Sequence, residues 1–222
     1  MKDITKYCIP LIVILLSFAY VSEAKGTPSL ETVIEKLQEF YNNVDDLQAG
    51  FLHRAPVALT ETTLEERGIF YYKKPSRLRW EYDDPENKLM VVNPEVTWIY
   101  LPDDNRVYRQ KTDEALSSRI VIRFLSGVGK LEEDFSISFA APLRDEEGRY
   151  RVELVPREYL GGVQKLTVMI DEKTFFIAGY AITDPYGTTS TYTFTDPVIN
   201  QGLPDELFFQ DPPEGARIED LI

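Results

Sequence analysis

The chain has 222 residues, a net charge of −13, one cysteine and one histidine. So acidic a chain argues against nucleic acid, whose phosphates would repel it, and against tight docking on anionic membranes. The single histidine excludes a multi-histidine metal site, and a Ser-His-Asp triad would have to use His53.

Lys2 and Lys6 form a positive stretch ahead of an apolar run, Ile9 to Val21, and Ser22-Glu23-Ala24 supplies the small side chains of a signal-peptidase site. This pattern predicts a signal peptide over residues 1–24 and one domain over 25–222, a soluble periplasmic monomer beginning at Lys25. An uncleaved anchor is the competing reading. Its apolar stretch, Tyr7 to Val21, is shorter than the ~20 residues a spanning helix needs. Cys8 stands at the start of that stretch and leaves with it, so no thiol or disulfide remains in the mature chain.

The first mature element is a helix: Leu30, Val33, Ile34, Leu37, Phe40 and Tyr41 recur at helical spacing after the start signal Thr27-Pro28-Ser29. Leu47 to His53 reads as a strand, the polar stretch Ala58 to Arg67 as a turn, and Gly68 to Tyr72 as the next strand. From Arg77 to Tyr82 the chain alternates: Leu78, Trp80 and Tyr82 lie on one face, Arg77, Arg79 and Glu81 on the other. That is the signature of a sheet with a dry concave side and a wet outer side. After the turn Asp83 to Asn87, Lys88–Val92 and Val96–Leu101 form a hairpin about Asn93-Pro94-Glu95, and Pro102 to Asn105 turns into Arg106–Arg109. A second helix is predicted over Asp113 to Leu125, with Leu116, Ile120 and Phe124 on one side. Strands resume at Phe135–Phe139, Arg149–Val155, Val163–Asp171, Phe176–Thr183 and Thr188–Phe194. Two helices in an otherwise antiparallel sheet give an α+β fold with helices on one face of a curved sheet.

Catalytic signatures are missing from this sequence. It has no Gly-x-Ser-x-Gly, and Gly127 to Lys130 imitates the end of a phosphate loop without its leading glycine or its Ser/Thr. The acidic pairs Asp83-Asp84 and Asp103-Asp104 and the run Glu132-Glu133-Asp134 lack calcium-loop spacing and read as solvated turns. A carboxylate-pair hydrolase assembled in space remains open. No metal or cofactor is expected. His53 alone reads as a sheet residue making an ordinary hydrogen bond, and Trp80, Trp98 and Tyr100 as core.

An ordered set of fragments carries more. Phe51-x-His53, Gly68-x-Phe-x-Tyr-Lys-Lys-Pro-x-Arg-Leu-Arg-Trp-Glu-Tyr82, Pro85 and Trp98-x-Tyr100 are followed by Phe124-Leu125-Ser126-Gly127 and Phe135-x-Ile137. Asp184-x-x-Gly187-x-Thr189 and Leu207-Phe208-x-x-x-Pro212-Pro213-x-Gly215 complete it. Together they resemble the LolA family of periplasmic outer-membrane lipoprotein carriers, over nearly the whole mature chain. The resemblance implies an incomplete, strongly curved antiparallel β-barrel with helices as a lid over a hydrophobic cavity. It implies a protein that takes acylated lipoproteins from an inner-membrane ABC transporter and hands them to an outer-membrane, LolB-like receptor. The family often has glutamine at His53 and arginine at Lys74. The arginine's role as lid clasp would then fall to Lys74, whose point charge cannot make a guanidinium's planar contacts.

With that resemblance, the alternating faces place acyl chains against Leu78, Trp80, Leu166, Val168 and Ile170. The lid is expected from Leu116, Ile120, Val121, Phe124 and Leu125. Two other readings stand beside the carrier. One is a lipid- or lipoprotein-sensing module of the same fold, as in RseB-type regulators, which normally add a second domain; the other is a periplasmic hydrolase.

Overall fold

The computed structural model describes residues 27–57, 62–85, 87–112, 131–209 and 211–221. The expected signal peptide and the predicted helix with Leu116, Ile120, Val121, Phe124 and Leu125 lie outside these described residues.

Helix α1 (Leu30–Asn42) starts where expected: the Ser29 side chain accepts the Thr32 N–H at 3.2 Å, an N-cap bond. Val33, Ile34, Leu37 and Tyr41 form its buried stripe. Twelve strands follow: β1 (Asp46–Pro56), β2 (Thr63–Lys73), β3 (Arg77–Asp84), β4 (Leu89–Val92), β5 (Val96–Leu101), β6 (Arg106–Lys111), β7 (Phe135–Arg144), β8 (Tyr150–Pro156), β9 (Lys165–Ile170), β10 (Ile177–Thr183), β11 (Thr189–Ile199) and β12 (Arg217–Asp220). A one-turn helix, α2 (Leu131–Asp134), leads into β7. The strands form one sheet in the order β12-β6-β5-β4-β3-β2-β1-β11-β10-β9-β8-β7. Each neighbouring pair is antiparallel except β12 with β6, and β7 and β12 are left as free edges. The α+β expectation holds, as an unclosed, curved sheet with few helices.

One expectation is corrected. The polar stretch before Gly68 is not all turn: β2 starts at Thr63 and pairs with β1 through Ala55↔Leu64 to Leu52↔Arg67. Charge did not prevent a strand because the charges find partners across it. Arg54 Nε donates to Glu65 at 2.6 Å, and His53 Nδ1 lies 2.8 Å from Glu66.

Gly68 marks a bulge between β2 and β3. A Cβ there would sit 1.8 Å from the Glu81 carbonyl oxygen and 2.9 Å from the Phe51 ring, so only glycine permits this approach. The Asp184-x-x-Gly187 fragment also has a local cause. The Asp184 carboxylate accepts the Tyr186 and Thr188 N–H groups at 2.8 Å each, and Gly187 takes a φ of 86° in the β10–β11 turn.

The sheet has two cores. The larger covers the concave face and joins α1 to β1, β2, β3, β8, β9 and β10. The smaller lies on the outer face, where Val91, Trp98 and Val107 are buried, with Tyr100 and Ala216 packed against them. Trp98 and Tyr100 are thus core residues, but on the opposite side of the sheet from Trp80.

Candidate functional site: the concave face

The alternation in β3 is realised as read. Leu78 and Trp80 are 1 % and 2 % exposed and face inward, while Arg77, Arg79 and Glu81 face outward. Leu166, Val168 and Ile170 of β9 join the same contiguous apolar cluster. The five side chains singled out for acyl chains are therefore brought together, although four strands separate β3 from β9 in the sheet. Aromatic rings fill the centre. Trp80 stands 4.4 Å from Phe70, 4.9 Å from Phe51 and 5.4 Å from Tyr192, centroid to centroid.

Among the described residues the cover of this face is α1, which the sequence did not single out as such. The void between helix and sheet is about 10 Å³ and wholly apolar, bounded by Tyr41, Leu47, Phe70, Tyr72, Phe176, Ile177 and Phe194. Such a space holds at most about one water.

The helix is tied down at its C-terminal end. Lys74 Nζ donates to the Asn42 carbonyl at 2.8 Å, and Asn200 Nδ2 to the Asn43 carbonyl at 2.9 Å. Asn200 Oδ1 accepts the Asp45 N–H at 2.7 Å, and the Tyr41 hydroxyl accepts the Ile177 N–H at 3.3 Å. Burial pushes the Tyr41 phenol far above its ordinary range, so it stays protonated. Lys74 is thus a link between sheet and helix, to α1; its relation to the segment holding Leu116–Leu125 lies outside the described residues.

Sequence reasoning missed a polar group on this same face. Glu66, 5 % exposed, pairs with both His53 and Lys88. Burial would raise its carboxyl, but hydrogen bonds from Lys88 and His53 outweigh that and hold it below the usual range. His53 stacks on Tyr192 at 4.1 Å, and Tyr192 on Tyr180 at 4.8 Å. The available signal was the β1–β2 register, which sets His53 opposite Glu66 once the hairpin is placed correctly.

The described residues contain no cluster of histidine, cysteine and acidic side chains fit for a metal, and no helix long and apolar enough to cross a membrane. Among the described residues the concave face of this unclosed sheet is a packed apolar cluster, overlaid by a helix bonded to the sheet at its C-terminal end. The sequence model of the outer membrane lipoprotein carrier protein LolA matches residues 42–211, and the chain belongs to that family. It is 28 % identical over 207 residues to an outer-membrane lipoprotein carrier protein of Methylococcus capsulatus, covering 92 % of this chain and 93 % of that one. To the protein of the same description from Methylibium petroleiphilum it is 28 % identical over 185 residues, covering 83 % and 88 %. In fold it is similar to an uncharacterized conserved protein of Thermus thermophilus, with a TM-score of 0.57, 12 % identity, and 87 % and 100 % of the two chains covered.

Proposed function

We propose that the protein is a non-enzymatic, periplasmic carrier exported by a signal peptide over residues 1–24. It receives acylated lipoproteins from an inner-membrane ABC transporter and delivers them to an outer-membrane, LolB-like receptor. The observation that carries this reading is the continuous apolar concave face under a helix fastened at one end, in a chain of the LolA family. Leu78, Trp80, Leu166, Val168 and Ile170 contact the acyl chains. Leu116, Ile120, Val121, Phe124 and Leu125 form the lid, and Lys74 is the clasp.

The energetics suit a carrier. Each buried methylene contributes about 0.8 kcal/mol, so one acyl chain contributes on the order of 10 kcal/mol gross. A site that kept all of this would never release. Displacing α1 from Tyr72, Phe176 and Ile177 exposes apolar surface, and that cost offsets part of the gain. Native mass spectrometry of protein purified from the periplasm tests the proposal. Acylated polypeptide should co-purify with the wild type; a consistently empty protein, unable to take lipoprotein from donor membranes, would refute the carrier role.

A further inference from the structure

The concave face is not chemically uniform. Its polar group lies about 20 Å along β1 from Leu47, near which α1 is anchored, at ~3.3 Å per residue. One row across the sheet pairs Glu66 with His53, His53 with Tyr192, and Tyr192 with Tyr180. Tyr82, one strand further out, lies beneath the Lys88 ammonium, 4.2 Å from ring centroid to nitrogen.

The protons of this group can be assigned. An ionised Glu66 only accepts, so His53 Nδ1 carries a hydrogen toward it, at 2.8 Å. Lys88 gives one proton to Glu66 and keeps two for another acceptor. The phenols remain O–H groups: burial raises Tyr82 and Tyr180 beyond the ordinary range and pushes Tyr192 up to about 12. Trp80 is 2 % exposed, and its Nε1 has no hydrogen-bond partner among the described residues. A buried N–H without an acceptor is costly, and the cost is removed when an acceptor arrives.

A face that only gripped hydrocarbon would be better served here by apolar residues, which usually match or exceed a buried ion pair in stability. Donors placed on an otherwise apolar face instead suit a molecule that is hydrocarbon at one end and rich in oxygen acceptors at the other.

We propose that His53, Glu66, Lys88, Tyr192 and the Trp80 indole form a polar subsite for the ester and amide carbonyl oxygens at the head of an acylated cargo. Lys88, Trp80 and Tyr192 donate, while Glu66 fixes Lys88 and the His53 ring. This rests on the carrier reading and assigns the orientation of its cargo: tails toward α1, carbonyl head toward β1–β2.

The test uses two synthetic peptides that carry a glyceryl-thioether cysteine, one with two palmitoyl esters and the other with two alkyl ethers of equal length. Affinities are measured by tryptophan fluorescence or calorimetry. The wild type should prefer the diester by roughly tenfold, the worth of one or two hydrogen bonds. Lys88→Met should cut the preference, read as the ratio of the two affinities in the same variant, to about twofold or less. Tyr192→Phe, which removes one hydroxyl and keeps the ring stack, should diminish it even if Lys88→Met does not fold. Equal wild-type affinity for the two peptides, or full preference in folded Lys88→Met or Tyr192→Phe, overturns the subsite. Failure of the wild type to bind either peptide overturns the carrier reading beneath it.

Discussion

The two faces of the sheet are both covered, but by different physics. On the outer face the cover is the C-terminal segment, held by directed polar bonds. Arg79 Nη1 donates to the Leu207 carbonyl at 2.9 Å and Asn93 Nδ2 to the Phe208 carbonyl at 3.2 Å. Asp205 pairs with Lys73 and Arg77 at 2.5 and 3.0 Å, and β12 then runs along β6, with Arg109 bonded to Asp220 at 2.8 Å. On the concave face the cover is α1, which lies on apolar side chains and is bonded to the sheet mainly at its C-terminal end. Directed bonds specify one geometry, whereas apolar contact is non-directional and tolerates sliding. The outer cover is fixed along its length, the inner one chiefly at one end.

The largest effect should follow from spoiling the inner face. Leu78→Glu puts a carboxylate at a site 1 % exposed. It loses the leucine's packing and buries an unpaired charge, which together cost more than about 3 kcal/mol. Chemical denaturation should show that loss, and any folded fraction should take up no acyl probe. Normal lipoprotein transfer by a folded Leu78→Glu protein would remove Leu78 from the binding face.

Arg79→Met sharpens the contrast from the other side. It removes the guanidinium that holds the Leu207 carbonyl and Glu81 while keeping much of its buried stem. The expected loss is about 1–3 kcal/mol in denaturant unfolding, with cargo affinity unchanged. If affinity fell in step with stability, the two faces would not be independent.

Glu66 gives the concave face a pH signature. Its carboxyl is held below the ordinary value of 4.5 in the folded protein, despite burial, by Lys88 and His53. The stabilisation it confers is therefore complete above that ordinary value and is lost as pH falls through the lowered one. Glu66→Gln should cost about 1–2 kcal/mol at neutral pH. It should also flatten the acid limb of the stability curve below the ordinary value. An acid limb as steep as that of the wild type would mean that Glu66 is not a main contributor.

These particulars show which features a sequence exposes. The period-two alternation of Leu78, Trp80 and Tyr82 could be read directly, because a half-buried strand must alternate and a one-sided face is the simplest cause. The stripe of α1 was equally plain. Two things were hidden because they depend on distant pairing. Thr63–Arg67 is too polar to look like a strand until Arg54 and His53 stand opposite it. The short β12, Arg217–Asp220, carries only Ile218 as an apolar residue and exists because β6 offers an edge and Arg106 and Arg109 offer counter-charges. His53 is the sharpest case. Alone it looks like an ordinary sheet residue, and its polar and ring partners emerge only when Glu66 and Tyr192 stand beside it.

The smallest effect on stability, and the finest probe of the inner cover, belongs to Lys74. Its ammonium is exposed and bonded to the last α1 carbonyl, Asn42 O, at 2.8 Å, where a cation also meets the negative end of the helix dipole. An exposed contact of this kind is worth less than about 1 kcal/mol. Lys74→Leu should therefore leave thermal unfolding nearly unchanged. On the proposed carrier reading the function should respond more strongly: with this bond gone, α1 is misplaced and cargo release to a receptor is impaired. Lys74→Arg keeps the charge and adds donors, so transfer should persist and closure should tighten. Transfer rates and melting curves for both variants decide the matter. Wild-type transfer by Lys74→Leu would leave α1 held by its apolar stripe, Asn200 and the Tyr41–Ile177 bond alone.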